Sequence, residues 1–162
     1  MCKQKKESVG HVLSECSEFA QTQYKSRHDR VADVVHWSPC RKYGLQCATR
    51  WYGHYGSKHP VMENNEVKIL CYFNVETEHV IVHGRPDIVV LEKKEKKALL
   101  IDIAVAGDVR VEEKEEEKVA KYQCLAREVK RLRQLKSVNV IPVVVLQKVD
   151  LLGTARILRR VF

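Results

Sequence analysis

The chain has six cysteines but no Cys-x-x-Cys pair, which removes the commonest thiolate pattern of a redox motif or zinc ribbon. Thiols scattered without a framework point to a reduced intracellular protein rather than a disulfide-stapled secreted one. A secretory leader is also missing, because the opening Met-Cys-Lys-Gln-Lys-Lys-Glu has no apolar segment. No apolar run approaches the roughly 20 residues that a membrane-spanning helix needs. There is no internal repeat, and the one biased segment is Glu112–Lys118. The expectation is a nuclear or cytoplasmic protein without a membrane partner, of 162 residues, enough for one domain with a core.

Positive charge is present in excess. Lys and Arg number 29 against 21 Asp and Glu, a formal net charge of +8, and that balance favours polyanionic partners, nucleic acid first.

The organising stretch runs from Arg85 to Asp108. Arg-Pro-Asp-Ile-Val-Val-Leu-Glu and Ala-Leu-Leu-Ile-Asp-Ile-Ala-Val-Ala flank the charged turn Lys-Lys-Glu-Lys-Lys. Two Val/Ile-rich runs about a solvated loop predict adjacent strands. Asp87 opens the first and Asp102 sits inside the second. A carboxylate in a buried strand is costly unless it is paired or holds a metal. Each alone reads first as a structural residue, Asp87 at a turn and Asp102 in an ion pair. Brought together, they make a site for a hard divalent cation.

Upstream, Cys2, His11 and Cys16 supply three ligands of zinc-knuckle type, one short of a closed tetrahedron; they read equally as unrelated residues of a frayed terminus. Residues 18–37 predict an amphipathic helix with Arg27, His28 and Arg30 on its wet face. Ser38-Pro39 reads as N-cap and N1 of a second short helix that Gly44 stops. The following segment to Pro60 is loop-like, and its aromatics either stack on bases or pin the loop. A strand is expected over 68–75, with 80–82 on the approach to the next one. A long helix is expected from Val111 to Lys136, acidic at its start and basic at its end as the helix dipole prefers, with Glu117 and Lys121 as an i,i+4 pair. Its apolar face runs Tyr122, Leu125, Val129, Leu132, and one turn back on that line is Lys118. Lys118 either snorkels to the rim or reaches the two carboxylates. Val138–Leu146 is a further strand, which Pro142 assigns to an edge or a bulge. The basic tail with Arg156 and Arg159 is a solvated face or a phosphate-contacting one.

The series Glu-Ser-Val-Gly-His-Val-Leu-Ser-Glu-Cys, Arg-Pro-Asp-Ile-Val-Val, Leu-Ile-Asp-Ile-Ala-Val, Glu-Glu-Lys-Val-Ala-Lys-Tyr and Val-Ile-Pro-Val-Val-Val resembles the C-terminal region of LINE-type (non-LTR) retrotransposon reverse transcriptase polyproteins. These carry a restriction-like PD-(D/E)XK endonuclease. The resemblance covers almost the whole chain. It implies an α/β fold, a mixed central sheet flanked by helices with an αβββαβ core, over residues 19–162, after a partial zinc-knuckle remnant at 1–18. It also implies Mg²⁺ or Mn²⁺ on Asp87, Asp102 and the backbone carbonyl of Ile103, with zinc possible on Cys2, His11 and Cys16. The usual lysine, two residues after the second acid, falls at Ala104; the family's variant places it on the next helix, matching Lys118 or Lys121 beside Tyr122. The expected function is a DNA-nicking endonuclease for reverse transcription at the target site, with DNA and possibly element RNA as partners and Arg85, Arg27, Arg30, Arg156 and Arg159 as candidate nucleic-acid contacts. The alternatives are a catalytically inactive nucleic-acid-binding relic and a basic interaction module.

Overall fold

A computed structural model describes residues 24–54, 59–106 and 111–146. Cys2, His11, Cys16, Arg156 and Arg159 lie outside the described residues, so the zinc-knuckle and basic-tail readings do too.

The elements run α1 (Lys25–Lys42), a 3₁₀ turn (Trp51–Gly53), β1 (Val61–Glu63), β2 (Val67–Cys71), β3 (Ile88–Glu92), β4 (Lys97–Ala106), α2 (Val111–Leu132) and β5 (Ser137–Leu146). The strands form one sheet in the order β1-β2-β3-β4-β5. The first three pairings are antiparallel and β4–β5 is parallel, as a strand–helix–strand crossover through α2 requires. The two Val/Ile-rich runs are therefore neighbours as expected. Four residues, Lys93 to Lys96, join them, with Lys96 at φ 53° closing the turn.

Alternation along the strands splits the core into two layers. Ile69, Ile88, Val90, Ile101, Ile103 and Val143 face α1 and pack with Val31 and Val35. Leu70, Val89 and Leu100 face the other way, onto Tyr122, Leu125 and Val129 of α2. The molecule is thus helix, sheet, helix, and Asp102, in phase with Leu100, looks toward α2.

Three local expectations change. The break at Ser38-Pro39 does not occur; α1 continues through Pro39 to Lys42. An interior proline costs about 3 kcal/mol locally, but Val31, Val35 and Pro39 are all buried at helical spacing on one face, and that continuous packing outweighs the lost amide. Gly44 does end the helix. It sits at φ 64°, and Leu45 donates to the Cys40 carbonyl at 2.8 Å, the long bond of a Schellman close. Next, α2 stops at Leu132, four residues early, because Gln134 takes φ 49° and Leu135 closes onto the Lys130 carbonyl at 3.0 Å. Finally, the strand expected over 68–75 ends at Cys71. Tyr72, at φ 52°, turns the chain out of the sheet, and Val80 and Val82 lie exposed in the loop beyond. Pro142 does lie on an edge strand.

Candidate active site

The site forms where β3 leaves β4. Ile88 pairs with Ile101, and one further step of that register sets Asp87 opposite Asp102. Directly opposed residues on antiparallel strands have Cβ atoms about 4.5–5.5 Å apart. Beyond this point β4 runs on beside β5 alone. The Ile103 amide, left without a β3 carbonyl, donates instead to Asp87 Oδ2 at 2.7 Å. A strand that departs early therefore leaves a notch with a carboxylate at its lip.

Asp102 is 3% exposed. The Tyr122 hydroxyl donates to its Oδ1 at 2.7 Å and also lies 3.2 Å from the Arg85 carbonyl. The Lys118 ammonium stands 2.5 Å from Oδ2. That contact is one of charge, since Oδ2 is buried without a hydrogen bond of proper alignment. The Lys121 ammonium is 3.8 Å from Oδ1 and 4.7 Å from the centre of the Tyr122 ring. Lys118 thus points inward rather than to the rim. The expected Glu117–Lys121 contact gives way to another: Glu117 meets Lys114 at 2.8 Å, because Lys121 turns toward the buried carboxylate. Burial first, then the Asp102 hydrogen bond and charge, then Asp87, push the Tyr122 phenol well above its ordinary range. Tyr122 is therefore a neutral donor, not a base.

Asp87 is held from the α1 side. His28 Nε2 is 3.2 Å from Asp87 Oδ2, and its Nδ1 is 3.4 Å from Asp29. The wet-face placement of His28 is corrected here: its side chain is 16% exposed and turned to the carboxylate. Burial draws the His28 pKa down, yet the hydrogen bonds and charges of Asp87 and Asp29 outweigh it and leave it raised. Tyr72 donates to Asp29 at 3.0 Å and its ring lies 6.3 Å from that of His28. Sequence reasoning missed His28, Asp29 and Tyr72. A histidine among charges on a helix carries no periodic signal, and only the turn at Tyr72 brings these groups together.

Of the arginines, Arg85 and Arg30 are exposed and Arg27 is half-buried. Arg85 donates through Nε to the Tyr72 carbonyl at 2.7 Å, which fixes its base at the notch. Asp102 Oδ2 is a buried oxygen whose partner within the chain is the Lys118 ammonium at 2.5 Å, and Asp87 is the second carboxylate beside it. Two adjacent carboxylates are hard-oxygen donors of the kind a divalent cation takes.

Comparison with family models, with curated proteins and with solved structures gave no match.

Proposed function

We propose that the chain is a metal-dependent endonuclease domain that nicks DNA, built on a restriction-endonuclease-like core. The observation that carries this reading is the Lys118 ammonium 2.5 Å from a buried Asp102 oxygen, with Asp87 one register step across the adjoining strand. The element order α1-β2-β3-β4-α2-β5 supports it, as does the sequence resemblance to the endonuclease region of LINE-type polyproteins, in which such a nick primes reverse transcription.

A bound Mg²⁺ or Mn²⁺ would polarise the scissile phosphate and lower the pKa of a water, held by Asp87, Asp102 and the Ile103 carbonyl. The protein's own groups do the rest. The Tyr122 hydroxyl, donating to Oδ1, orients the Asp102 carboxylate. Lys118 moves its charge from Asp102 to the phosphate, where negative charge develops. His28 and the Ile103 amide fix the Asp87 carboxylate. Arg85, Arg27 and Arg30 hold the backbone of the DNA.

One observation favours the rival reading, an inactive nucleic-acid-binding relic: both carboxylates already have partners within the chain, Lys118 on Asp102 and His28 with Ile103 on Asp87. Single-turnover nicking of supercoiled plasmid with and without Mg²⁺ separates the two. Activity that needs the metal and disappears in Asp87→Asn and Asp102→Asn supports the nuclease. Salt-sensitive DNA binding without any nicking establishes the relic.

A further inference from the structure

Toward the C-terminal end of α1, away from His28, is a second cluster of ligating side chains. His36 and Cys40 lie one helical turn apart, and His54 follows the 3₁₀ turn Trp51–Gly53. His36 Nδ1 and His54 Nε2 are 2.8 Å apart, Cys40 Sγ is 3.8 Å from His36 Nδ1, and the two rings stack at 5.1 Å. Cys40 and His36 are 0% exposed and His54 1%. Among the described residues these three form a group whose ligand atoms all lie within 4.8 Å of one another.

We propose that His36, Cys40 and His54 bind one Zn²⁺ that fastens the 44–54 segment to α1. The donors are a thiol and two imidazoles, a borderline-soft set that suits zinc and not magnesium or calcium. The i,i+4 spacing on a helix presents two of them side by side. On a zinc tetrahedron, two imidazole nitrogens lie about 3.3 Å apart, and a thiolate sulfur lies about 3.6 Å from a nitrogen. For these two pairs the observed 2.8 and 3.8 Å differ from those values by a few tenths of an ångström; Cys40 Sγ also lies 3.5 Å from His36 Nε2. Binding releases one proton from the Cys40 thiol, which burial pushes up to about 12, and leaves both imidazoles neutral. Three protein ligands leave a fourth position for water or another donor.

The segment itself supplies the reason for a clamp. Among its described residues, the 3₁₀ turn is the one regular element between α1 and β1. Its contacts to α1 include Trp37 Nε1 to the Ala48 carbonyl at 2.8 Å and Arg41 to the Thr49 carbonyl at 3.5 Å. Beneath it lies the core, where Met62 Sδ is 3.8 Å from Cys40 Sγ. A metal ion would join all three side chains at once.

The test uses the full chain carrying Cys2→Ser, His11→Ala and Cys16→Ser, so that N-terminal ligands cannot contribute. Co²⁺ is added to chelator-treated protein and then displaced with Zn²⁺. The expected result is a thiolate-to-cobalt charge-transfer band with the d–d pattern of a tetrahedral site, saturating at one ion per chain and bleached by zinc. Cys40→Ser abolishes the charge-transfer band, whereas Cys47→Ser and Asp102→Asn retain it. The folded parent giving no charge-transfer band overturns the proposal whether or not any variant folds. So does a band that survives in Cys40→Ser. In either case His36 and His54 are a buried hydrogen-bonded pair and nothing more.

Discussion

Removing Lys118 puts the buried Asp102 to a direct test. Two unit charges 2.5 Å apart attract by roughly 6–7 kcal/mol at an effective dielectric of about 20, against which stands the desolvation of both ions. Breaking a buried pair by deleting one partner typically costs about 3–5 kcal/mol, because the survivor is left uncompensated. Two facts reduce that here: the Lys118 side chain is 18% exposed, and Lys121 waits 3.8 Å from the other oxygen. Lys118→Ala should therefore lose about 1–3 kcal/mol, and Lys118→Ala with Lys121→Ala the full 3–5. Adding Asp102→Asn to the double variant should recover part of the loss, since no buried charge then remains unpaired. The reading is the urea midpoint, at unchanged slope. A divalent ion offers a second signature. With its lysine gone, Asp102 should take up Mg²⁺ more readily, and millimolar Mg²⁺ should raise the midpoint of Lys118→Ala more than that of the parent by mass action. A variant as stable as the parent, and indifferent to Mg²⁺, would refute the inward-pointing lysine and with it the site. If the parent nicks DNA, the same substitution should slow single-turnover nicking by about 10²–10³, as expected for loss of one transition-state donor.

Tyr122→Phe keeps the ring in its layer but strips Asp102 Oδ1 of its 2.7 Å donor; the expected loss is about 1.5–3 kcal/mol for a hydrogen bond to a charged group, read from urea unfolding. His28 has a raised pKa in the folded protein, so its interaction with Asp87 and Asp29 stabilises fully below the unfolded value of about 6.5 and fades as pH climbs through the folded value; in metal-free protein the stability gap between parent and His28→Gln should accordingly narrow above neutrality, and a gap that widens there would contradict the assignment. DNA affinity should fall steeply with salt and depend little on sequence, the log–log slope changing by about 0.9 for each phosphate neutralised on duplex DNA; Arg30→Ala should make that slope shallower, and a flat salt response in the parent would remove DNA as a partner.

The two aspartates and Lys118 were legible because each broke a pattern. Asp87 and Asp102 interrupted apolar strands, and the short charged loop between the strands fixed their register to within a step. Lys118 interrupted an apolar helix line, and the line held. Long-range geometry was not legible. The placement of His28 depends on Asp87, some 60 residues on, and a helix face drawn from apolar residues alone sets a histidine beside arginines outside. At Pro39 local propensity predicts a break that the packing of Val31 and Val35 overrides. The three-residue strand Val61–Glu63 is too short to show a period. His36 and Cys40 carry a visible i,i+4 spacing, but His54 comes from an aperiodic segment whose path only the fold defines.

The margins of the sheet bear on how the molecule behaves in a crowd of its own copies. On one margin β1 is three residues long, with Val61 and Glu63 turned outward. On the other, β5 carries Pro142, which has no amide hydrogen to offer. Short strands and prolines are the means by which sheets avoid zipping together edge to edge. The apolar strands that assemble the notch, β3 and β4, are segments of aggregation-prone composition, and the fold keeps both in the interior of the sheet. Aggregation should therefore track partial unfolding rather than the native population. A polypeptide whose β4–α2–β5 crossover is slow to close would expose those strands longest, so refolding yield should fall with protein concentration well before native solubility does.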